Sequence, residues 1–312
     1  MRGILSNSHD PAFNLATEEY LLKDYPSDCF MLYRNTLSII VGKHQNAMAE
    51  INFRYALEHQ IPVVRRLSGG GTVFHDTGNL NFCFIQSGKA GRLVDFRKFL
   101  MPVLELLHEM GLPVEYGGRN DLILEGKKIS GNAEHIYHNR TLHHGTLLFS
   151  SDLGMLEQAI QVSPEKYRDK AVQSVRSKVT NIAPYLAEPL TIEAFGNYIF
   201  SGLARKFGII AATSLDNNER EKIEQLAAAK YRSWEWNFGY SPAFDYQLNL
   251  KRGERSFQMR IGVNNGIIVQ VETKAENNLE NLIQPILLGK NFREDFILKT
   301  LTDQFPDCQV IE

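Results

Sequence analysis

Residues 64–84, VRRLSGGGTVFHDTGNLNFCF, constrain the fold more than any other part of the chain. Gly69, Gly70 and Gly71 remove every Cβ from a short span. The run that follows, residues 72–85, has the apolar and polar mixture of a strand, broken near Asp76-Thr77-Gly78. A phosphate-binding GxxxxGK[ST] loop requires a helix after its glycines, and none is expected here. The dinucleotide fingerprint GxGxxG also fails, because position 74 is Phe. Two readings remain open at this point. Backbone lacking Cβ can lie against a ligand, and positive φ values can turn successive N–H groups into one anion-binding concavity. Arg65 and Arg66 would then add fixed positive charge suited to a phosphate or carboxylate. The alternative is a flexible hairpin turn beside a surface arginine pair.

The rest of the chain narrows the class. Its 312 residues suffice for one large domain and a small one. A formal net charge of −2 argues against holding nucleic acid by bulk electrostatics. Cys29, Cys83 and Cys308 are widely spaced, with neither a disulfide framework nor zinc-ligand spacing. No run approaches the ~18 apolar residues of a membrane span, and the first residues carry no signal-peptide core. A cytoplasmic protein is expected.

Apolar spacing predicts helices at residues 14–22, 53–60, 95–110, 152–160, 192–207, 219–230, 279–288 and 293–305. Residues 28–33 and 37–41 read as two strands in a hairpin-like arrangement, and further strands are expected at 4–5, 114–116, 121–124, from 128 and at 141–149. Residues 166–181 are basic and serine-rich, and read as an ordered loop. After Pro242 three alternating runs, the last two joined at Asn265-Gly266, precede two helices. The absence of regular βαβ alternation favours an α+β fold with a mixed or antiparallel sheet. The expected division is a catalytic domain at 1–242 and a small α+β accessory domain at 243–312.

Individual residues are ambiguous alone. Lys128 opens a strand beside Ser130-Gly131, where a lysine can neutralise developing negative charge or simply be solvated. His143-His144 lack metal-ligand spacing. His75-Asp76 lack an adjacent nucleophile, so structural hydrogen bonding is expected of them. Cys83 reads as a small buried hydrophobe, and Trp234 and Trp236 as core anchors.

Together, RRLSGGGTVFHD at 65–76, GRND at 118–121, KKISGNA at 127–133, HHGTLL at 143–148 and SVRSKVTN at 174–181 resemble the lipoate–protein ligase family. Residues 233–239 are similar to its bacterial two-domain branch. The resemblance covers nearly the whole chain and is weakest after residue 244. It implies the fold shared by biotin protein ligases and class II aminoacyl-tRNA synthetases. It also implies two steps: lipoate and Mg-ATP give lipoyl-AMP and pyrophosphate, and the acyl group then passes to a lysine of a lipoyl domain. Such acceptors are the E2 subunits of 2-oxoacid dehydrogenases and the glycine cleavage H protein.

By the same resemblance Lys128 is the catalytic residue, touching lipoyl carbonyl and α-phosphate. Arg66, Gly71, Thr72, Val73, Phe74 and Lys128 would bind ATP. Ser68, Gly69, Gly70, Gly71, Lys128 and His144 would bind lipoate. Arg176, Ser177, Lys178, Val179 and Thr180 would form the adenylate loop, and Asp121 would be a Mg²⁺ ligand. The alternative activity is a lipoyl or octanoyl transferase using preformed lipoyl-AMP or an acyl thioester; a third reading is a non-catalytic lipoate- or adenylate-binding module.

Overall fold

The computed structural model describes residues 1–88, 94–118, 120–160, 164–273 and 277–311. Its first elements are β1 (Arg2–Leu5), α1 (Pro11–Lys23), β2 (Cys29–Tyr33), β3 (Ser38–Val41), α2 (Ala47–Glu50), α3 (Phe53–Glu58), β4 (Val63–Arg65), β5 (Val73–His75) and β6 (Asn79–Ser87). There follow α4 (Phe96–Glu109), β7 (Val114–Tyr116), β8 (Asp121–Leu124), β9 (Lys127–Tyr137), β10 (Arg140–Leu148), α5 (Leu153–Ala159), β11 (Tyr167–Asp169), α6 (Ile192–Lys206) and α7 (Asn217–Leu226). The last are β12 (Phe244–Arg252), β13 (Arg255–Asn264), β14 (Ile267–Thr273), α8 (Asn277–Leu287), α9 (Glu294–Gln304) and β15 (Cys308–Ile311).

Strand periodicity builds the main layers. In a seven-stranded sheet of order β1-β2-β6-β10-β9-β8-β7, the pair β1–β2 is parallel and the other pairs antiparallel. Phe30 and Leu32 of β2 pack with α4 and α6, whereas Cys29, Met31 and Tyr33 pack with α1 and Tyr231. Alternate residues thus bury opposite sheet faces. Asp10 starts α1 by accepting from Ala12 N at 2.9 Å, with Pro11 in the first turn.

Residues 28–33 and 37–41 do not form the expected hairpin. β2 lies in the large sheet, and β3 pairs with β4 and β5 in a separate three-stranded sheet. The buried Asn14 of α1 captures the connecting turn, its Nδ2 donating to Arg34 O at 3.3 Å and Asn35 Oδ1 at 2.8 Å. That tether directs the chain off the first sheet and into the second. β5 is an edge strand there, with no strand on its other side among the described residues.

β11 to β15 form a third sheet, in which β15 and β11 both pair with β12. Its core includes Tyr246, Met259, Ile261, Ile283 and Ile297. The Asn265-Gly266 turn has φ values of 49° and 70°, as its sequence predicts. β11 and β15 are too short to signal themselves in sequence. Tyr167 of β11 packs against Phe244 and Tyr246, with ring centroids 5.8 and 5.2 Å away. The start of the basic loop is therefore anchored in the last sheet. No helix among the described residues is long and apolar enough to cross a membrane.

Candidate active site

Arg65 and Arg66 are adjacent in sequence and serve different surroundings. Arg65 is fully buried. Its Nη1 donates to Gly42 O and Gln45 O, both at 2.8 Å, and its Nη2 to Asn237 O and Ser241 Oγ, both at 2.9 Å. Its Nε donates to Trp236 O at 3.0 Å. The reading of Arg65 as ligand charge is therefore corrected: it clamps the 42–45 turn to the aromatic 233–241 segment. Arg66 Nη2 donates to Gly69 O and Gly71 O, both at 2.7 Å, and its Nε to Ser68 Oγ at 3.0 Å. Burial pulls both guanidinium groups down to about 10, which leaves them charged at neutral pH.

The three glycines differ. Gly70 has φ +83°, a region that favours glycine. A Cβ on Gly71 would lie 2.9 Å from Ser174 Oγ, whereas one on Gly69 would meet only His44 Cδ2, at 3.9 Å. Ser174 belongs to the 170–181 loop and fastens it to the glycine turn. Its Oγ accepts from Thr72 N at 2.9 Å and Gln45 Nε2 at 3.0 Å, and donates to Glu50 Oε2. Its N–H donates to Glu50 Oε1 at 3.1 Å. Burial raises the Glu50 carboxyl above its ordinary value, against these hydrogen bonds.

Lys128 is placed by an irregularity. The β8–β9 register pairs Leu122 with Ser130 but Ile123 with Lys128, so one extra β9 residue is accommodated. Such a bulge re-aims the side chains around it. The Lys128 side chain lies across Gly131, where a Cβ would come 3.1 Å from Cε and 3.2 Å from Nζ. Its Nζ is 2.8 Å from Asp121 Oδ1, in a pair about one quarter exposed. Its backbone bridges the loop: Lys128 N donates to Lys178 O at 2.8 Å, and Thr180 N donates to Lys128 O at 3.1 Å. Among the described residues no cluster of three or more His, Cys, Asp or Glu side chains could hold a metal. Asp121 is a lone carboxylate at the cavity wall, a donor set that fits a Mg²⁺ shared with substrate phosphates better than a protein-built cage.

Two cavities meet at this lysine. The first, of about 370 Å³, has Leu15, Tyr33, Ile40, His75 and Asn81 on its wall. The second, of about 540 Å³, is lined by Phe74, Leu148, Leu153, Leu156 and Ile160. Thr72, Val73, Lys128, Gly131, Ser174 and Ser177 border both. Arg66, Gly70, Gly71, Asp121 and His144 line the first; Phe74, Arg176, Lys178 and Val179 line the second. Ser68 and Gly69 line neither, and Thr180 contributes its backbone to Lys128. Ser68 is fully buried behind the wall, its Oγ 2.6 Å from His144 Nε2. His144 Nδ1 is in turn 2.7 Å from Glu18 Oε2, and Tyr33 OH donates to Glu18 Oε1 at 2.9 Å. His143 faces the other side of the sheet, stacking on Phe99 and pairing with Glu134. Arg119 lies outside the described residues. Glu18, Gln45, Glu50 and Asn81 carry no local motif and are not singled out by sequence; the packed fold brings Asn81 to the first cavity, Glu18 against His144, and Gln45 and Glu50 against Ser174.

The model of the lipoyl protein ligase A/B catalytic domain matches residues 10–204. The chain belongs to this family. It is 42% identical over 267 residues to lipoate–protein ligase 1 of Staphylococcus aureus, an alignment covering 84% of this chain and 80% of that protein. Among solved structures, lipoate–protein ligase A bound with ATP superposes with a TM-score of 0.65 at 25% identity, covering 77% of this chain and all of that one. The bipartite lipoate protein ligase of Thermoplasma acidophilum, described with its E2 lipoyl domain, gives a TM-score of 0.66 at 26% identity over 77% of this chain and 97% of that one. The α+β architecture of the family is that of this chain, and the protein is a ligase enzyme.

Proposed function

We propose that this lipoate–protein ligase holds lipoate in the first cavity and the adenosine of ATP in the second, and joins them at Lys128. The observation that carries the reading is the position of Lys128 on the wall common to both cavities. In the first half-reaction the lipoate carboxylate attacks the α-phosphate, forming lipoyl-AMP and releasing pyrophosphate. Two anions must be brought together, so positioning and charge neutralisation supply the catalysis. Lys128 Nζ exchanges its Asp121 partner for the developing negative charge. The edge of β5 offers backbone groups to the adenine, and the Arg66-braced glycine turn offers the amides of Gly70 and Gly71 to the substrate anions. Mg²⁺, when bound with ATP, supplies further neutralisation of the phosphates, and Asp121 is the side chain that would hold it. In the second half-reaction a lysine of a lipoyl domain attacks the mixed anhydride, and AMP leaves.

The acceptors in this reading are lipoyl domains of 2-oxoacid dehydrogenase E2 subunits and the glycine cleavage H protein, in the cytoplasm. Residues 1–242 would be the catalytic unit and 243–312 the accessory one. A thioester route finds no support. Cys29, Cys83 and Cys308 are all buried, and burial pushes the Cys29 thiol up to about 12 and the Cys83 thiol well above its usual value. The test is lipoate-dependent ATP–pyrophosphate exchange with the purified protein. Exchange is expected. Transfer from supplied lipoyl-AMP without exchange would replace the ligase reading with a transferase.

A further inference from the structure

Among the described residues, His75, Asn81 and Asn132 line the first cavity with a buried hydrogen-bonding atom unused, and in Asn132 that atom is an acceptor, Oδ1. His75 and Asn81 are 3% and 1% exposed, and both line the first cavity but not the second. His75 Nε2 and Asn81 Nδ2 are buried and without a hydrogen-bond partner among the described residues. Their neighbours on that wall, Leu15, Tyr33 and Ile40, are apolar or turn their polar group away, since the Tyr33 hydroxyl is committed to Glu18.

The protonation of His75 follows from its partners. Asn14 Nδ2 is oriented by backbone carbonyls, Ser8 O at 3.0 Å and Arg34 O at 3.3 Å. It donates to Asn35 Oδ1, so the Asn35 atom 2.9 Å from His75 Nδ1 is its amide nitrogen, a donor. Nδ1 is therefore the acceptor and the ring proton sits on Nε2. Burial, with Arg66 and His144 nearby, pulls the imidazole down to about 3, so it stays neutral at physiological pH. Asn81 Oδ1 accepts from Asn79 Nδ2 at 2.9 Å, which leaves its own Nδ2 as the free donor. That wall thus carries two N–H donors beside Leu15, Tyr33 and Ile40.

We propose that His75 and Asn81 read the far end of the acyl substrate and select a ring bearing sulfur over a plain hydrocarbon. This rests on the ligase reading, with the carboxylate held at Lys128 and the chain running to the wall that only the first cavity has. Disulfide sulfur is a weak acceptor, and a hydrocarbon offers none. A buried donor facing hydrocarbon bears its desolvation cost uncompensated, which is worth about tenfold in affinity.

The test compares lipoate with 5-cyclopentylpentanoate, whose ring has the same size and no sulfur, in ATP–pyrophosphate exchange. The unaltered protein is expected to favour lipoate by about tenfold in kcat/KM. Asn81→Leu or His75→Phe is expected to narrow that gap to within about threefold, chiefly by improving use of the carbocycle. Equal use of the two acids by the unaltered protein overturns the proposal, whether or not either variant folds. So does a gap that persists in both variants. Exchange with neither acid would refute the ligase reading itself, and this proposal with it.

Discussion

The glycine turn and the β9 bulge face each other across one site and spend their polar groups in opposite ways. In the turn, Arg65 and Arg66 give their N–H groups to backbone carbonyls and buried hydroxyls. At the bulge, Lys128 pairs with the Asp121 carboxylate and has about a quarter of its side chain exposed. The turn is a wall whose charge is committed internally. The bulge presents a cation that can change partners. Positive charge near a glycine-rich stretch is thus not by itself a ligand site; its hydrogen-bond commitments decide.

Replacing the available cation should have the largest effect on activity and little on stability. Lys128→Ala is expected to lower the exchange rate by about 10²–10³-fold, the usual cost of removing one preorganised charge-stabilising donor. Its thermal midpoint should stay close to that of the parent, because a partly exposed ion pair contributes about 1 kcal/mol or less. A variant that kept its exchange rate would erase the distinction. The committed cation should show the reverse. Arg65→Met leaves the carbonyls of Gly42, Gln45, Trp236 and Asn237 without that donor. A loss of about 3 kcal/mol or more in chemical denaturation is expected, with activity per folded molecule largely kept.

The wall should also show its commitment in pH dependence. Folded His75 takes no proton until about 3, whereas an unfolded histidine takes one near 6.5. The unfolded chain therefore binds more protons between those values. Stability from this group is complete above about 6.5 and declines as the pH falls, by up to about 1.4 kcal/mol per unit. His75→Phe should flatten that slope in denaturation curves; an unchanged slope would assign it to other groups. The smallest contrast lies within the glycine triplet. Gly71→Ala, which meets Ser174, is expected to raise the KM for lipoate, whose cavity Gly71 lines, by about tenfold, as overpacking typically costs about 1–3 kcal/mol. Gly69→Ala should change it less than twofold.

Much of this arrangement was legible where the chemistry is local. The glycine stretch, the Lys128 motif and the 174–181 loop each carry a recognisable pattern, and the structure joins the last two through the backbone of Lys128, Lys178 and Thr180. The Asn265-Gly266 hairpin was legible for the same reason. What sequence does not display is which distant group a side chain will meet. Glu18 reaches His144 across 126 positions and Glu50 reaches Ser174 across 124, and neither glutamate differs in its neighbourhood from a surface residue. The failed β2–β3 hairpin has the same origin. Both runs have strand character, but Asn14, on a preceding helix, decides where the turn between them goes.

In the proposed arrangement, acyl and adenosyl groups occupy separate cavities and meet at Lys128. A crystal structure with a non-hydrolysable lipoyl-sulfamoyl adenosine tests it directly. The predicted result has the acyl chain along Tyr33 and Ile40, the adenosine beside Phe74 and Leu156, and Lys128 Nζ within hydrogen-bond distance of the linker. An analogue lying wholly in one cavity, or a Lys128 still paired with Asp121 and remote from the linker, would contradict it.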